Sequence, residues 1–117
     1  MSYIIEGAKP SPRILNGNIY WYEGDTFSFP IVIDIFDELG YKKKLAEGET
    51  VALNFFNSAG TMMFFKNVAI AENNTIQFEI TDTETVNFPA GRYRMNILYG
   101  SIDGRETIAD DVRIVVE

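Results

Sequence analysis

The chain of 117 residues has no cysteine and no histidine. Without cysteine there is no disulfide framework, no thiol nucleophile and no zinc-thiolate site, so the fold has to be stable in either redox compartment. Without histidine the commonest general base, the commonest transition-metal ligand and the usual pH switch are all missing, and no enzyme is expected. Basic residues are scarce as well: ten Lys and Arg stand against seventeen Asp and Glu, a net charge of −7. That balance repels phosphates and disfavours nucleic acid unless a strongly basic face is segregated from an acidic remainder. The one basic run, Lys42-Lys43-Lys44, reads as a solvated loop or as gatekeepers on an edge strand. No charged start followed by a short apolar core marks a signal peptide, and no segment approaches the ~20 apolar residues of a membrane span. Cytoplasmic synthesis and no membrane partner are therefore expected.

What the chain does have is bulk. Apolar residues make up 46% and aromatics 14%, with nine Phe and six Tyr, the usage expected of sheets packed face to face. The length suits one domain able to bury a single core. Residues 1–18 hold Gly7, Pro10, Pro12 and Gly17 and read as an N-terminal arm, too punctuated for a regular element apart from a short strand at Tyr3 to Glu6. Residues 19–117 read as the folded domain.

Period-two alternation runs through that domain. After a first strand from Ile19 to Glu23, Phe27, Phe29, Ile31, Ile33 and Ile35 fall on one face of the next, with Pro30 placing a bend or a sheet edge there. Asp37 to Gly48 is charged, turn-rich and without helical period, so it reads as a long surface loop. Val51, Leu53 and Phe55 alternate in a strand that turns at Asn57-Ser58-Ala59-Gly60 into Thr61–Lys66. Strands from Val68 to Ala71 and Thr75 to Ile80 follow around Glu72-Asn73-Asn74, whose match to a glycosylation acceptor is taken as turn chemistry. Thr81 to Asn87 reads as one helical turn capped by Thr81 or Asp82, after which Phe88 returns to the core. Tyr93, Met95, Ile97 and Tyr99, then Asp103-Gly104, then Val112, Ile114 and Val116 describe a closing hairpin. Short strands at this spacing predict an all-β antiparallel sandwich of about seven to nine strands.

Candidate sites are few. Asp34, Asp37 and Glu38 are close in sequence, but nothing marks the cleft a pair of catalytic carboxyls needs. Calcium ligation by these acids, or by Asp103 with Asp110 and Asp111, lacks the EF-hand spacing. No catalytic, cofactor or metal residue is assigned. Tyr20, Trp21 and Tyr22 form either core or an aromatic platform for a carbohydrate. Phe55-Phe56 and Met62-Met63-Phe64-Phe65 put large apolar groups on both faces of neighbouring strands, more than one core face uses. The candidate interaction surface is therefore Tyr20, Trp21, Tyr22, Phe56, Met63 and Phe65. Gly91-Arg92-Tyr93 reads as a tyrosine corner, in which the hydroxyl bonds back to the connection between sheets.

The order of these signals carries a resemblance. Gly24-Asp25-Thr26, Gly48-Glu49-Thr50-Val51, Asn57-Ser58-Ala59-Gly60, Ile80-Thr81-Asp82-Thr83-Glu84-Thr85, Pro89-Ala90-Gly91-Arg92-Tyr93 and Asp103-Gly104 each sit at a strand junction. Over residues 19–117 the chain resembles the immunoglobulin-like β-sandwich domain at the N-terminus of phage baseplate upper proteins and related prophage tail proteins. The resemblance implies a non-catalytic connector of the virion tail, in contact with other tail proteins or with copies of itself.

Overall fold

The computed structural model describes residues 9–101 and 104–117. Eight strands follow one another: β1 (Arg13–Leu15), β2 (Asn18–Trp21), β3 (Phe27–Val32), β4 (Thr50–Asn57), β5 (Met62–Ala71), β6 (Thr75–Ile80), β7 (Gly91–Ser101) and β8 (Gly104–Val116). They form one sheet in the order β1-β2-β8-β7-β4-β5-β6-β3, curled into a half-barrel. The long strand β5 makes the curl, pairing with β4 along most of its length and with β6 through Ile70 and Ala71 at its end. The expected strand at Tyr3 to Glu6, and Asp103, lie outside the described residues.

The all-β expectation holds, but the expectation of purely antiparallel pairing does not. β2 runs parallel to β8, with Ile19 beside Ile114 and Trp21 beside Val116. All four side chains are buried, so the register that aligns the apolar positions of the two strands is the one adopted. The amides of Glu117 and Glu23 continue the ladder past β2, donating to the carbonyls of Trp21 and Glu117 at 2.8 and 2.9 Å.

Alternation dictates the rest. Val51, Leu53 and Phe55 on β4, and Ile76, Phe78 and Ile80 on β6, point into the core, as do Tyr93, Met95, Ile97 and Tyr99 on β7. β3 ends at Val32, and it lies at the free edge of the sheet as Pro30 requires. The two strands expected on either side of Asn67 are one continuous β5. Lys66, at an inward register position opposite Leu53, swings its ammonium group to the Glu84 carboxylate at 3.2 Å and the Glu79 carbonyl, so the strand need not break. The stretch expected to lack regular structure contains β1, joined to β2 by Asn16-Gly17 with both residues at positive φ (52° and 79°), the conformation a two-residue hairpin demands.

Trp21, Phe78, Phe88 and Phe55 are fully buried at the centre. The Trp21 ring lies 5.1 Å from Phe27 and 5.5 Å from Phe88, and Phe88 in turn meets Phe55 edge-on at 5.1 Å. β3 and β6 thus fold back over β2, β4 and β7. Phe88 arrives there from a single 3-10 turn, Thr85–Asn87. Neither Thr81 nor Asp82 caps that turn by its side chain. Instead the Thr81 carbonyl accepts from the Thr85 amide at 2.9 Å, while Glu84 receives the Thr81 amide at 3.0 Å.

The tyrosine corner is present, with Tyr93 Oη donating to the Pro89 carbonyl in the connection between β6 and β7. Burial, and secondarily Glu23, raises the Tyr93 phenol above the ordinary 10.0. On the same face Tyr99 Oη donates to Glu49 at 2.9 Å, and that hydrogen bond together with burial raises its value too. Both phenols are harder to ionise folded than unfolded, so their contribution is complete below 10.0 and is lost as pH rises through the folded-state values. Unfolding free energies measured in urea at increasing pH should fall on this alkaline limb. A Tyr93→Phe/Tyr99→Phe variant should show a flatter limb, and an unchanged slope would refute the assignment.

Candidate interaction surface

The strand alternation that builds the core also sorts the six candidate surface residues. Trp21 has no exposed surface, and Met63 packs against the core. Trp21 is corrected from surface to core, and Met63 from surface to a half-buried position against that core. The reason at Trp21 is its position beside Val116, under Phe27 and Phe88. The reason at Met63 is the register shift between Phe55 and Phe56, which lets both Met63 and Phe64 lean inward. An aromatic platform of Tyr20, Trp21 and Tyr22 is therefore not formed. Tyr20 is half-buried beneath the Arg13 guanidinium, 4.7 Å above its ring, and the Tyr22 hydroxyl donates to the Lys9 carbonyl at 3.1 Å.

Phe56 and Phe65 do share the outer face of β4 and β5, Phe65 opposite Asn54 and Phe56 opposite Met62. Phe65 is 62% exposed and Met62 beside it 50%. With Ala52, Asn54 and Leu98 they line a shallow depression of about 440 Å³, while Phe56 adjoins a second one with Arg94 and Asn96.

Cross-strand register adds what spacing along the chain did not reveal. Arg13 pairs with Tyr20, Tyr20 with Val115 and Val115 with Arg92; Arg94 pairs with both Phe56 and Arg113; Arg105 pairs with Gly100, next to Leu98. Residues opposite one another in a sheet share a face. All five arginines of the chain therefore lie on this outer face, and four of them are exposed. The carboxylates beside them are Asp110, Asp111 and Glu117, with Asp111 on Arg94 at 3.3 Å and Glu117 on Arg13. Five positive and three negative side chains leave the face at +2, and the other five lysines and fourteen acids leave the remainder at −9. Signals for this were present in part: Arg92 and Arg94 bracket the buried Tyr93, so they had to face outward.

A second exposed apolar group sits at the tip of the loop between β3 and β4. Phe36, Leu39 and Tyr41 are 64%, 81% and 70% exposed. The tip is tightly built. The Asp37 amide donates to the Tyr41 carbonyl at 2.8 Å, and Asp37 Oδ1 accepts from the amides of Leu39 and Tyr41, both at 2.9 Å. Lys42 pairs with Asp34 at 2.8 Å and Lys43 with Glu106 at 2.8 Å, so the lysine run belongs to a loop, as expected. Asp34, Asp37 and Glu38 are all exposed acids of that loop.

Buried Asn74 anchors the base of the same loop. Its Oδ1 accepts from the Leu45 amide at 2.7 Å, its Nδ2 donates to the Lys43 carbonyl at 2.8 Å, and its own carbonyl accepts from Ile33 at 2.9 Å. Sequence reasoning placed Asn73-Asn74 in a turn but missed this clamp.

The surface thus combines guanidinium groups with exposed Phe and Met, a composition enriched in protein interfaces. No family model, curated protein or solved structure matches the chain.

Proposed function

We propose that this chain is a non-catalytic assembly protein of a phage or prophage tail or baseplate, acting through protein–protein contacts. The observation that carries the assembly role is the cluster of Phe56, Met62, Phe65 and Leu98 on the outer face of the large sheet, left outside the core by the alternation of β4, β5 and β7. A folded domain that keeps large apolar groups exposed between arginines has a surface shaped for another protein.

The immunoglobulin-like reading of the fold supports the tail setting. β3 pairs with β6, and β4, β7 and β8 lie side by side, the division between the B–E and C–F–G strands of immunoglobulin sandwiches. Tyr93 closes the corner ahead of β7, where that fold places it. The half-barrel departs from two separate sheets only because β5 joins them.

Light scattering across a concentration series tests the assembly role. The wild-type mass should exceed that of a monomer at high micromolar concentration. A Met62→Ser/Phe65→Ser variant should stay within about 0.5 kcal/mol of wild-type stability, because both positions are exposed, yet lose most of the association. A wild-type protein that stays monomeric throughout would sink the proposal. Tail and lysis genes on either side of its own would speak for the setting.

A further inference from the structure

The geometry points to an oxyanion-binding site on the outer face of β2, β8 and β7, built by Arg92, Arg94 and Arg113 and suited to a phosphoryl or sulfuryl group. It is a different feature from the apolar patch that carries the assembly reading, and it stands or falls without that reading.

The three arginines line one shallow depression of about 450 Å³ together with Asn18, Tyr20 and Ser58, and no carboxylate among the described residues lines it. Register explains the gathering. Arg92 and Arg94 are two residues apart on β7, hence about 7 Å apart on one side of the sheet, and Arg113 on β8 is directly opposite Arg94. Ser58 follows Asn57, which pairs with Tyr93 between the two β7 arginines. Side chains as long as arginine, rooted this close, can converge on a single group. Asn18, Tyr20 and Ser58 add uncharged donors. Arg13 covers the Tyr20 ring and is itself paired with Glu117, so it takes no part.

The positive charge of the depression is not spent inside the chain. Arg94 gives its Nε to Asp111 at 3.3 Å, which leaves the two Nη groups of its fork. Arg92 and Arg113 have no ion-pair or hydrogen-bond partner among the described residues. Asp110 and Asp111 line a neighbouring depression that has only Arg94 in common with this one. Even with both acids counted, three arginines against two carboxylates leave a net positive charge. Like charges directly opposite in a sheet are destabilising, so Arg94 across from Arg113 weakens the pairing of β7 with β8 until an anion lies between them. The planar guanidinium fork fits phosphate or sulfate oxygens two at a time. A carboxylate, with two oxygens in one plane, suits a single fork, whereas a tetrahedral group meets three arginines from different sides. All three are exposed, so binding is of the millimolar class.

Titration of the isotope-labelled full chain with sodium phosphate, against sodium chloride at constant ionic strength, tests this by NMR. The Nε–Hε signals of Arg92, Arg94 and Arg113 and the Ser58 amide should shift saturably in phosphate and stay still in chloride. Arg92→Gln/Arg113→Gln, altered only at exposed positions, should keep the wild-type spectrum elsewhere, which shows that it is folded, and lose at least about tenfold in affinity. Arg92→Lys/Arg113→Lys keeps the charge without the forks and should fall between the two. Sulfate and phenyl phosphate identify the source. Tighter binding of sulfate than of phosphate assigns a sulfuryl group. Phenyl phosphate bound as tightly as inorganic phosphate assigns an ester carried on a larger molecule, and weaker binding assigns the free ion. Shifts that chloride reproduces, or an unchanged affinity in the glutamine variant, would overturn the site. So would a single-stranded oligonucleotide whose affinity grows with length while inorganic phosphate stays inert, because the arginines would then serve a polyanion. A monomeric wild type, fatal to the assembly reading, leaves every one of these outcomes intact.

Discussion

Replacing Trp21 with alanine should lower the unfolding free energy by about 3–5 kcal/mol, the range for truncating a large buried aromatic. The side chain is wholly enclosed, and its ring contacts tie β2 to β3, β6 and the connection ahead of β7 through Phe27, Phe78 and Phe88. Alanine leaves a cavity between layers that cannot collapse without breaking the parallel pairing of β2 with β8. Domains of this size have about 5–15 kcal/mol in total, so the variant should sit near the edge of stability. Trp21→Phe should cost far less. Its ring still fills most of the space, and it removes an indole Nε1–H that is buried without a hydrogen-bond partner. Because Trp21 is the sole tryptophan, unfolding in urea should be followed by circular dichroism rather than fluorescence. An alanine variant within about 1 kcal/mol of wild type would show that the packing centre lies elsewhere.

The second large effect is expected at Asn74, the one buried polar residue among the described residues, whose side-chain amide both accepts and donates a hydrogen bond. Asn74→Gly retains access to the left-handed backbone (φ 54°) but removes the acceptor of the buried Leu45 amide and the Nδ2 donor to the Lys43 carbonyl. Each orphaned buried group costs about 1–3 kcal/mol, so a loss of about 2–4 kcal/mol is expected in equilibrium unfolding. Asn74→Ala should lose about 1–2 kcal/mol more, since its Cβ opposes that backbone conformation. The local readout is hydrogen exchange. The Leu45 amide should lose its protection in both variants, and protection equal to wild type would mean that something other than Asn74 holds the loop.

Where one face of a strand was polar, the sequence was easy to interpret. Phe27 to Ile33, Val51 to Phe55 and Ile76 to Ile80 alternate large apolar residues with Ser28 and Pro30, with Ala52 and Asn54, and with Gln77 and Glu79, Val32 being the one bulky exception, so their inward sets were legible before any coordinates. Tyr20-Trp21-Tyr22 offered no such contrast. With aromatics at three consecutive positions, only the neighbouring strand could decide which side was buried, and that neighbour is β8, nearly a hundred residues away in sequence. Met62-Met63-Phe64-Phe65 was ambiguous for the same reason, compounded by a bulge that no local signal announces. Cross-strand register likewise hid most of the basic face. Its arginines are scattered between positions 13 and 113 and meet only after β1, β2, β8 and β7 are laid side by side in that order.

Pro30 lies in the middle of β3, at one margin of the sheet, and the opposite margin is the three-residue β1. Proline offers no amide hydrogen to an incoming chain, and three residues give too short a template for one. Growth by strand addition, the route to amyloid-like fibres, is therefore discouraged at both margins. Concentrated protein should accordingly remain negative for thioflavin fluorescence even under conditions where it self-associates.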